Sequence, residues 1–418
     1  MRFKINRFDL SALTLISSSS TAQAITIALS PIITRLFTPE DFGVYSAYVA
    51  LVAILLVLVN GKYDQAIILP KSDRTARDII FAGMVINIII ACLLFGIIFL
   101  FDDYLIGFLN NEDSIRPWLY VIPLIVFLTG VYQNFYYWQV RKSGFYQIGA
   151  SKIFNTSAMN GASIALGFLG FKISGLLLGY LAARFVSLIP LFFKLHDLTW
   201  KLNQKRMRVA TKKYINFPKF LIFSGVLSAL SMQMPVLLLT ALFTSTLTGL
   251  FVLTQKVARM PITIVASAIS DVFKSEASKA FREQGECRAV YKKTLFRLVL
   301  IATLPFIVFF FIAPDLFRLV FGQEWREAGV IAQYLVPMMY FQFISSPLSA
   351  MYVIAEKQKL DTIFQILLTT ITALPFIVAS ILGWDGLVAV KIFSFLYSLV
   401  YLSNLFVTWR FAKNKVKV

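Results

Sequence analysis

Four basic residues lie inside long apolar stretches of this 418-residue sequence. A charge at the centre of a membrane-spanning helix costs about 2.5–3.5 kcal/mol on the insertion scale, so such residues usually serve a function. One interpretation is that these cations neutralise an anionic substrate. The alternative interpretation is that they bond to backbone carbonyls or reach the lipid headgroups. The predicted substrate-binding residues are Arg184, Lys256, Arg259 and Lys391. Arg35, at the end of the first apolar stretch, is a fifth candidate. Anchoring at the membrane interface would also explain Arg35.

Acidic residues do not explain these cations, because no Asp or Glu lies deep in an apolar stretch. Asp64 and Asp271 are placed at the cytoplasmic ends of predicted spans. Exporters that couple cation substrates to protons or sodium usually need intramembrane carboxylates, so their absence disfavours that class. Lys256 and Arg259 are one helical turn apart and would share a face.

Other reactive residues are scarce. The chain has two cysteines, Cys92 and Cys287, and a single histidine, His196. These exclude a disulfide framework, a cysteine-based metal site and a cysteine–histidine catalyst. No nucleotide-binding glycine-rich loop or catalytic dyad is present. We therefore expect no enzyme, no catalytic residues, no cofactor and no metal.

The elements that must position the cations are membrane spans. Hydrophobic residues make up 58% of the chain and charged residues 15%, against roughly 45–50% and 25% in soluble domains. The runs lack the alternation of barrel strands, so they are helices. This predicts an all-α polytopic membrane protein with twelve transmembrane helices, near residues 10–34, 42–61, 79–101, 117–139, 148–170, 173–193, 217–241, 248–271, 294–314, 328–350, 362–383 and 386–409.

The basic residues predict the orientation. With the N-terminus in the cytoplasm, 31 of the 40 Lys and Arg lie in cytoplasmic segments and five lie outside. This bias follows the positive-inside rule and places both termini in the cytoplasm. The net charge of +19 is then topological, and no nucleic-acid partner is expected. The first span is rich in serine and threonine, which favours a helix facing a protein-lined or wet cavity.

Short motifs recur at a nearly constant offset of 211–214 residues. Leu169-Gly170 and Gly175-Leu176 have counterparts in Leu382-Gly383 and Gly386-Leu387. Leu36-Phe37-Thr38 similarly resembles Leu242-Phe243-Thr244. The repeat predicts two pseudo-symmetric six-helix bundles, typical of transporters that work by alternating access. The predicted domains are residues 1–195 and 217–418, joined by a basic cytoplasmic linker at 196–216.

The sequence resembles the Wzx-type polysaccharide (O-antigen) flippases, in the superfamily of multidrug, oligosaccharidyl-lipid and polysaccharide exporters. The resemblance is carried by residues 34–43 (TRLFTPEDFG), by Lys62-Tyr63-Asp64, by Ile67–Pro70 and by residues 321–329 (FGQEWREAG). Where the family often has arginine and glutamate around the tyrosine, this chain has Lys62 and Asp64.

The resemblance implies a flippase that moves undecaprenyl-diphosphate-linked oligosaccharide from the cytoplasmic to the periplasmic leaflet of the bacterial inner membrane, for O-antigen or related lipopolysaccharide synthesis. The implied partners are this lipid-linked glycan, membrane lipid, a polysaccharide polymerase and chain-length proteins. A cation-coupled multidrug exporter is the alternative and predicts dependence on Asp64 or Asp271. A glycan polymerase or ligase is disfavoured because the predicted external loops are short.

Overall fold

The structure, a computed structural model, describes residues 7–108, 113–193 and 203–413, and gives the backbone alone for residues 7–12, 108, 113 and 259–264. Within these ranges the secondary structure is helical and contains no strand. The all-α prediction is therefore confirmed. His196 and residues 197–202 of the predicted linker lie outside the described residues, and the rest of the linker contains the helix Gln204–Lys213.

Twelve helices of 17 to 40 residues make up most of the described chain. Each overlaps one of the twelve predicted spans. In chain order they are α1 (Arg7–Leu36), α2 (Pro39–Leu55), α3 (Asp73–Phe108), α4 (Ile122–Arg141), α5 (Phe145–Phe168), α6 (Lys172–Phe192), α7 (Ile222–Leu242), α8 (Ser245–Gln284), α9 (Arg288–Phe321), α10 (Arg326–Leu348), α11 (Gln358–Ile381) and α12 (Gly386–Lys413). Shorter helical segments lie between them at Val59–Ile68, Asp113–Ile115, Arg116–Leu119, Gln204–Lys213, Phe217–Leu221, Gln323–Trp325 and Met351–Ile354.

By length and composition, eight of these helices are able to cross a membrane within the described ranges. The segment formed by α2 and Val59–Ile68 is a ninth, bent by 61°. The other three long helices, α1, α5 and α8, are not among these candidates, and α1 and α8 each contain residues described by their backbone alone. In lipid, polar side chains on such helices must pack against protein or face water.

The serine-rich helix α1 satisfies its own polar groups and packs on α5. Ser18 Oγ donates to Thr14 O at 2.7 Å, so this hydroxyl is bonded within the helix. A Cβ at Gly149 of α5 would lie 2.7 Å from Ser18 Oγ, which shows how closely the two helices approach. Lys152 Nζ donates to Ser19 Oγ at 2.9 Å. The two polar helices therefore cover each other within the bundle.

The second predicted span is not one continuous helix, as the 42–61 boundary implied. The backbone leaves α2 at Leu55, and Asn60, Gly61 and Lys62 adopt left-handed φ angles of 54°, 57° and 60°. This conformation is costly for side chains other than glycine. It is held because Asn60 Nδ2 donates to Gly130 O at 2.8 Å, and Asn134 Nδ2 donates to Asn60 Oδ1 at 3.1 Å. Two α4 partners thus fix the bend.

The repeated Leu-Phe-Thr motif begins equivalent helices. Thr38 caps α2 and accepts from Asp41 N, whose side chain completes a capping box. Thr244 caps α8 and accepts from Leu247 N at 3.2 Å. These hydroxyls satisfy backbone donors that have no partner at a helix start.

The phenylalanine of the same motif meets the glycine that opens the last helix of its own bundle. A Cβ at Gly175 of α6 would lie 3.2 Å from Phe37 Cζ, and one at Gly386 of α12 would lie 3.0 Å from Phe243. The preceding helices α5 and α11 both end at a left-handed glycine, Gly170 at φ +80° and Gly383 at φ +66°. The predicted pseudo-symmetry is confirmed by these matched contacts.

The chain forms two compact units that divide between Gln233 and Met234, within α7. In the first unit α5 and α6 pack closely, because a Cβ at Gly179 would overlap Ser163 Oγ. In the second unit Thr254 Oγ1 of α8 donates to Ala328 O of α10 at 2.7 Å. The predicted division at residues 195 and 217 stays a prediction, as does the cytoplasmic position of the termini.

Candidate functional site

Arg184 is half-buried in α6 and surrounded by aromatic rings. Its Nη2 donates to the hydroxyl of Tyr180 at 2.9 Å, and its Cζ lies 4.7 Å from the centre of the same ring. Tyr45 of α2 meets Tyr180 edge-on at 6.3 Å between ring centroids. Tyr45 and Tyr132 of α4 also lie within electrostatic range of the guanidinium.

The guanidinium of Arg184 is incompletely satisfied. Its Nε is buried and has no hydrogen-bond partner in the described part of the chain. No carboxylate in the described residues forms an ion pair with it either. A ring face attracts a cation by about 0.5–2 kcal/mol but accepts no strong hydrogen bond. Arg184 therefore has one N–H donor that the described residues leave unsatisfied.

Lys391 is exposed near the start of α12, and its Nζ lies 4.4 Å from the centre of the Tyr334 ring of α10. It lines a groove of about 410 Å³ between α9, α10 and α12. Gln333 lies beside it and donates through Nε2 to Phe310 O at 2.7 Å. That carbonyl lacks its usual helical donor because the residue four positions on is Pro314. Gln333 thus has a structural role.

Lys256 is exposed on α8. Along the same helix face follow Ser267, Asp271 and Lys274, at offsets of 11, 15 and 18 residues, and all three are exposed. Among the described side chains, this face of α8 is therefore polar from Ser267 to Lys274. The side chain of Arg259 lies outside the described residues, so its predicted role stays a prediction.

Arg35 is exposed at the last turn of α1. Exposed Ser17, Thr21, Ala24 and Ala28 lie on the same face of α1, together with exposed Leu13 and Ile32. This face is mixed in polarity, and the wet or protein-lined environment of the first span stays a prediction.

The predicted cations stand on four helices: Arg35 on α1, Arg184 on α6, Lys256 and Arg259 on α8, and Lys391 on α12. Among the described side chains, no hydrogen bond or ion pair joins Arg184, Lys256 or Lys391 to another of them. Arg184 belongs to the first compact unit, and Lys256 and Lys391 belong to the second.

Asp64 is buried in the structure, whereas the sequence predicted only that it lies at the cytoplasmic end of a span. It lies in the bent segment Val59–Ile68, where its side chain is 1% exposed and its Oδ1 has no hydrogen-bond partner among the described residues. A buried ionised carboxylate is costly unless it is paired. The Asn60-Gly61 dipeptide inside an apolar run is a turn signal that could have revealed the bend and hence this buried carboxylate.

The intramembrane amides mainly join helices. Asn87 donates to Phe127 O at 2.9 Å, and Asn155 donates to Ala183 O at 3.1 Å. Asn60 and Asn134 bond to each other at the bend. These contacts favour interhelical packing over the sugar-binding role that is the other interpretation of intramembrane amides. In the described ranges no cluster of three or more His, Cys, Asp or Glu side chains offers ligands for a metal ion.

Solved structures share this fold. The lipid II flippase MurJ in its inward closed conformation has a TM-score of 0.71 at 12% identity, over 94% of this chain and 87% of that chain. An inward-facing multidrug resistance transporter of the MATE family, in the MOP superfamily, has a TM-score of 0.63 at 14% identity, over 94% and 97%. A comparison with curated proteins finds no match.

These similarities confirm the twelve-helix transporter fold predicted from the sequence. The intramembrane cations and the bent second span are therefore features of a polytopic membrane protein with a transporter architecture. A family model described as "Polysaccharide biosynthesis protein" matches residues 32–330, and the chain belongs to that family.

Proposed function

We propose that this protein is a flippase that moves undecaprenyl-diphosphate-linked oligosaccharide repeat units to the periplasmic leaflet of the bacterial inner membrane by alternating access. Its product would feed O-antigen or related surface polysaccharide synthesis, with a polysaccharide polymerase and chain-length proteins as partners. Membership of the polysaccharide biosynthesis family and the fold shared with a lipid II flippase support this proposal.

The observation that carries the proposal is the state of Arg184. A half-buried guanidinium with aromatic neighbours, an unpaired Nε and no carboxylate partner in the described residues is prepared to receive an anion. Guanidinium groups bind phosphate through planar, paired N–H donors. A diphosphate would supply the acceptor oxygens that the tyrosines do not. We assign Arg184 to the diphosphate; the roles predicted for Arg259 and Lys256 stay predictions.

The membrane potential provides a driving force for this movement. An interior-negative potential favours outward transfer of negative charge by about 2.3 kcal/mol per charge per 100 mV. A diphosphate linker would therefore need no nucleotide hydrolysis in this chain. Consumption of the repeat units outside would keep transport directional.

A cation-coupled multidrug exporter is the second candidate, and one observation favours it. Asp64 is a buried carboxylate without a hydrogen-bond partner for Oδ1 in the described residues, and such groups are typical of proton relays in transporters. The MATE fold similarity is consistent with this alternative.

One reconstitution separates the two candidates. The full chain is placed in vesicles with a fluorescent undecaprenyl-diphosphate-linked oligosaccharide, and a membrane-impermeant quencher measures the fraction that reaches the outer leaflet. A flippase makes nearly all the labelled lipid quenchable, whereas protein-free vesicles stop near half. Ethidium transport driven by an imposed proton gradient, abolished in Asp64→Asn, with no movement of the labelled glycolipid, would instead establish the exporter.

A further inference from the structure

The groove beside Lys391 has the dimensions of one lipid leaflet. Its α12 wall follows a single helix face from Lys391 through Phe395 and Leu399 to Leu402. Eleven residues at 1.5 Å each make this wall about 16 Å long, and half of a bilayer's hydrocarbon is about 15 Å thick. Phe395 and Leu399 are 61% and 46% exposed, so the apolar wall is open along its length.

The charged end of the groove lies toward the membrane surface. Lys391 is five residues from the start of α12, and helical side chains tilt toward the N-terminus of their helix. Its ammonium therefore reaches back toward the headgroup level, where Tyr334 contacts it. In the described residues no carboxylate forms an ion pair with Lys391. The ring compensates part of the charge, and an anionic headgroup would compensate the rest.

A second polar group lies one turn deeper. Ser394 lines the same groove, is 2% exposed, and its hydroxyl has no hydrogen-bond partner among the described residues. Three residues separate it from Lys391, so the two backbones are about 4.5 Å apart along the helix, and the ammonium lies further toward the headgroups. The carboxylic ester carbonyls of a glycerophospholipid lie below its phosphate in the same order. A polyprenyl phosphate has no carboxylic ester carbonyl to occupy that position.

From this order of groups we propose that the groove between α9, α10 and α12 binds one anionic glycerophospholipid. Lys391 contacts the phosphodiester, Ser394 donates to an ester carbonyl, and the acyl chain lies along Phe395, Leu399 and Leu402. Lys391 then serves a membrane lipid and not the glycan diphosphate that the sequence suggested. The site is independent of the proposed transport substrate.

Native mass spectrometry of the full chain measures this binding directly. The detergent-solubilised protein is incubated with 1-palmitoyl-2-oleoyl-phosphatidylglycerol, and the lipids retained per chain are counted. We expect the wild type to retain one phosphatidylglycerol molecule. Lys391→Gln should bind this lipid about tenfold more weakly, because it loses one charge-assisted hydrogen bond. Lys172→Gln, at another exposed lysine that begins a helix, should retain lipid as the wild type does.

Two further arms identify the occupant. Ser394→Ala should weaken phosphatidylglycerol binding and leave undecaprenyl phosphate binding unchanged, because only the former carries carboxylic ester carbonyls. Equal retention of phosphatidylglycerol by the wild type and Lys391→Gln would overturn the proposal. Tighter retention of undecaprenyl phosphate than of phosphatidylglycerol at this site would also overturn it, and would give the groove to a polyprenyl anchor.

Discussion

Replacing Arg184 by alanine should separate transport from folding. The change removes the hydrogen bond from the charged guanidinium to Tyr180, worth about 1.5–3 kcal/mol net, and a ring contact worth about 0.5–2 kcal/mol. It also removes the buried Nε, whose missing partner costs about 1–3 kcal/mol. The gain offsets part of the loss, so we expect the free energy of unfolding to fall by about 1–2 kcal/mol.

Transport should respond far more strongly. A guanidinium that binds phosphate contributes about 1.5–3 kcal/mol through a charge-assisted hydrogen bond. Its loss slows flipping at limiting substrate by about 10- to 150-fold. Arg184→Lys keeps the charge but lacks the planar donor pair, so its rate should lie between those of the wild type and Arg184→Ala.

The vesicle assay with fluorescent lipid-linked oligosaccharide measures these rates at equal protein content. The matched control is Arg318→Ala, at an exposed arginine near the end of α9 that lies 3.5 Å from Asp315. It should flip at the wild-type rate. Wild-type flipping by Arg184→Ala would refute the role of this guanidinium, and unfolding of Arg184→Ala in detergent would refute the balance of energies above.

Three other predictions concern packing and reactivity. Gly179→Ala should lower the free energy of unfolding by about 1–3 kcal/mol, because its Cβ would overlap Ser163 Oγ. The control is Gly161→Ala, whose Cβ would lie in open space. Equal melting temperatures for the two variants would contradict the close α5–α6 packing. Gln333→Ala should lower the free energy of unfolding by about 1–3 kcal/mol, because Phe310 O would lose its hydrogen-bond donor. An unchanged midpoint of denaturant unfolding would show that another group satisfies this carbonyl. Burial raises the pKa of the Cys287 thiol to about 11, so this thiol stays protonated at neutral pH. In a Cys92→Ser background, which removes the exposed free cysteine, maleimide labelling should be much slower than that of a model thiol and should accelerate as the pH rises toward 11 or when the protein unfolds. Rapid labelling of this folded variant at pH 7 would contradict the burial of Cys287.

Much of the fold could be predicted from the sequence, because long apolar runs form membrane-spanning helices and short repeated motifs form the same local structure in both halves. The repeated Phe37 and Phe243 each pack on a glycine that opens the last helix of a bundle. The repeated threonines cap equivalent helices. Hydropathy did not predict the bend after α2, because a left-handed turn at Asn60 changes no residue's polarity. The burial of Asp64 depends on that bend and was missed with it.

The candidate site was only partly readable. Arg184 and Tyr180 are four residues apart on α6, a spacing that brings side chains together on any helix, so their contact could have been predicted. The contact between Lys391 and Tyr334 joins residues 57 positions apart and depends on how α10 and α12 pack. The unpaired hydroxyl of Ser394 likewise follows from packing and not from residue type.

The central claim is that this chain carries lipid-linked oligosaccharide across the membrane. The most direct test is deletion of the gene in the organism that encodes it, followed by analysis of lipid-linked intermediates in right-side-out and inverted membrane vesicles. The proposed function predicts that undecaprenyl-diphosphate-linked repeat units accumulate on the cytoplasmic face and that the surface polysaccharide is lost, with both restored by the wild-type gene. Unchanged surface polysaccharide and no accumulated intermediate, with altered drug sensitivity, would contradict it.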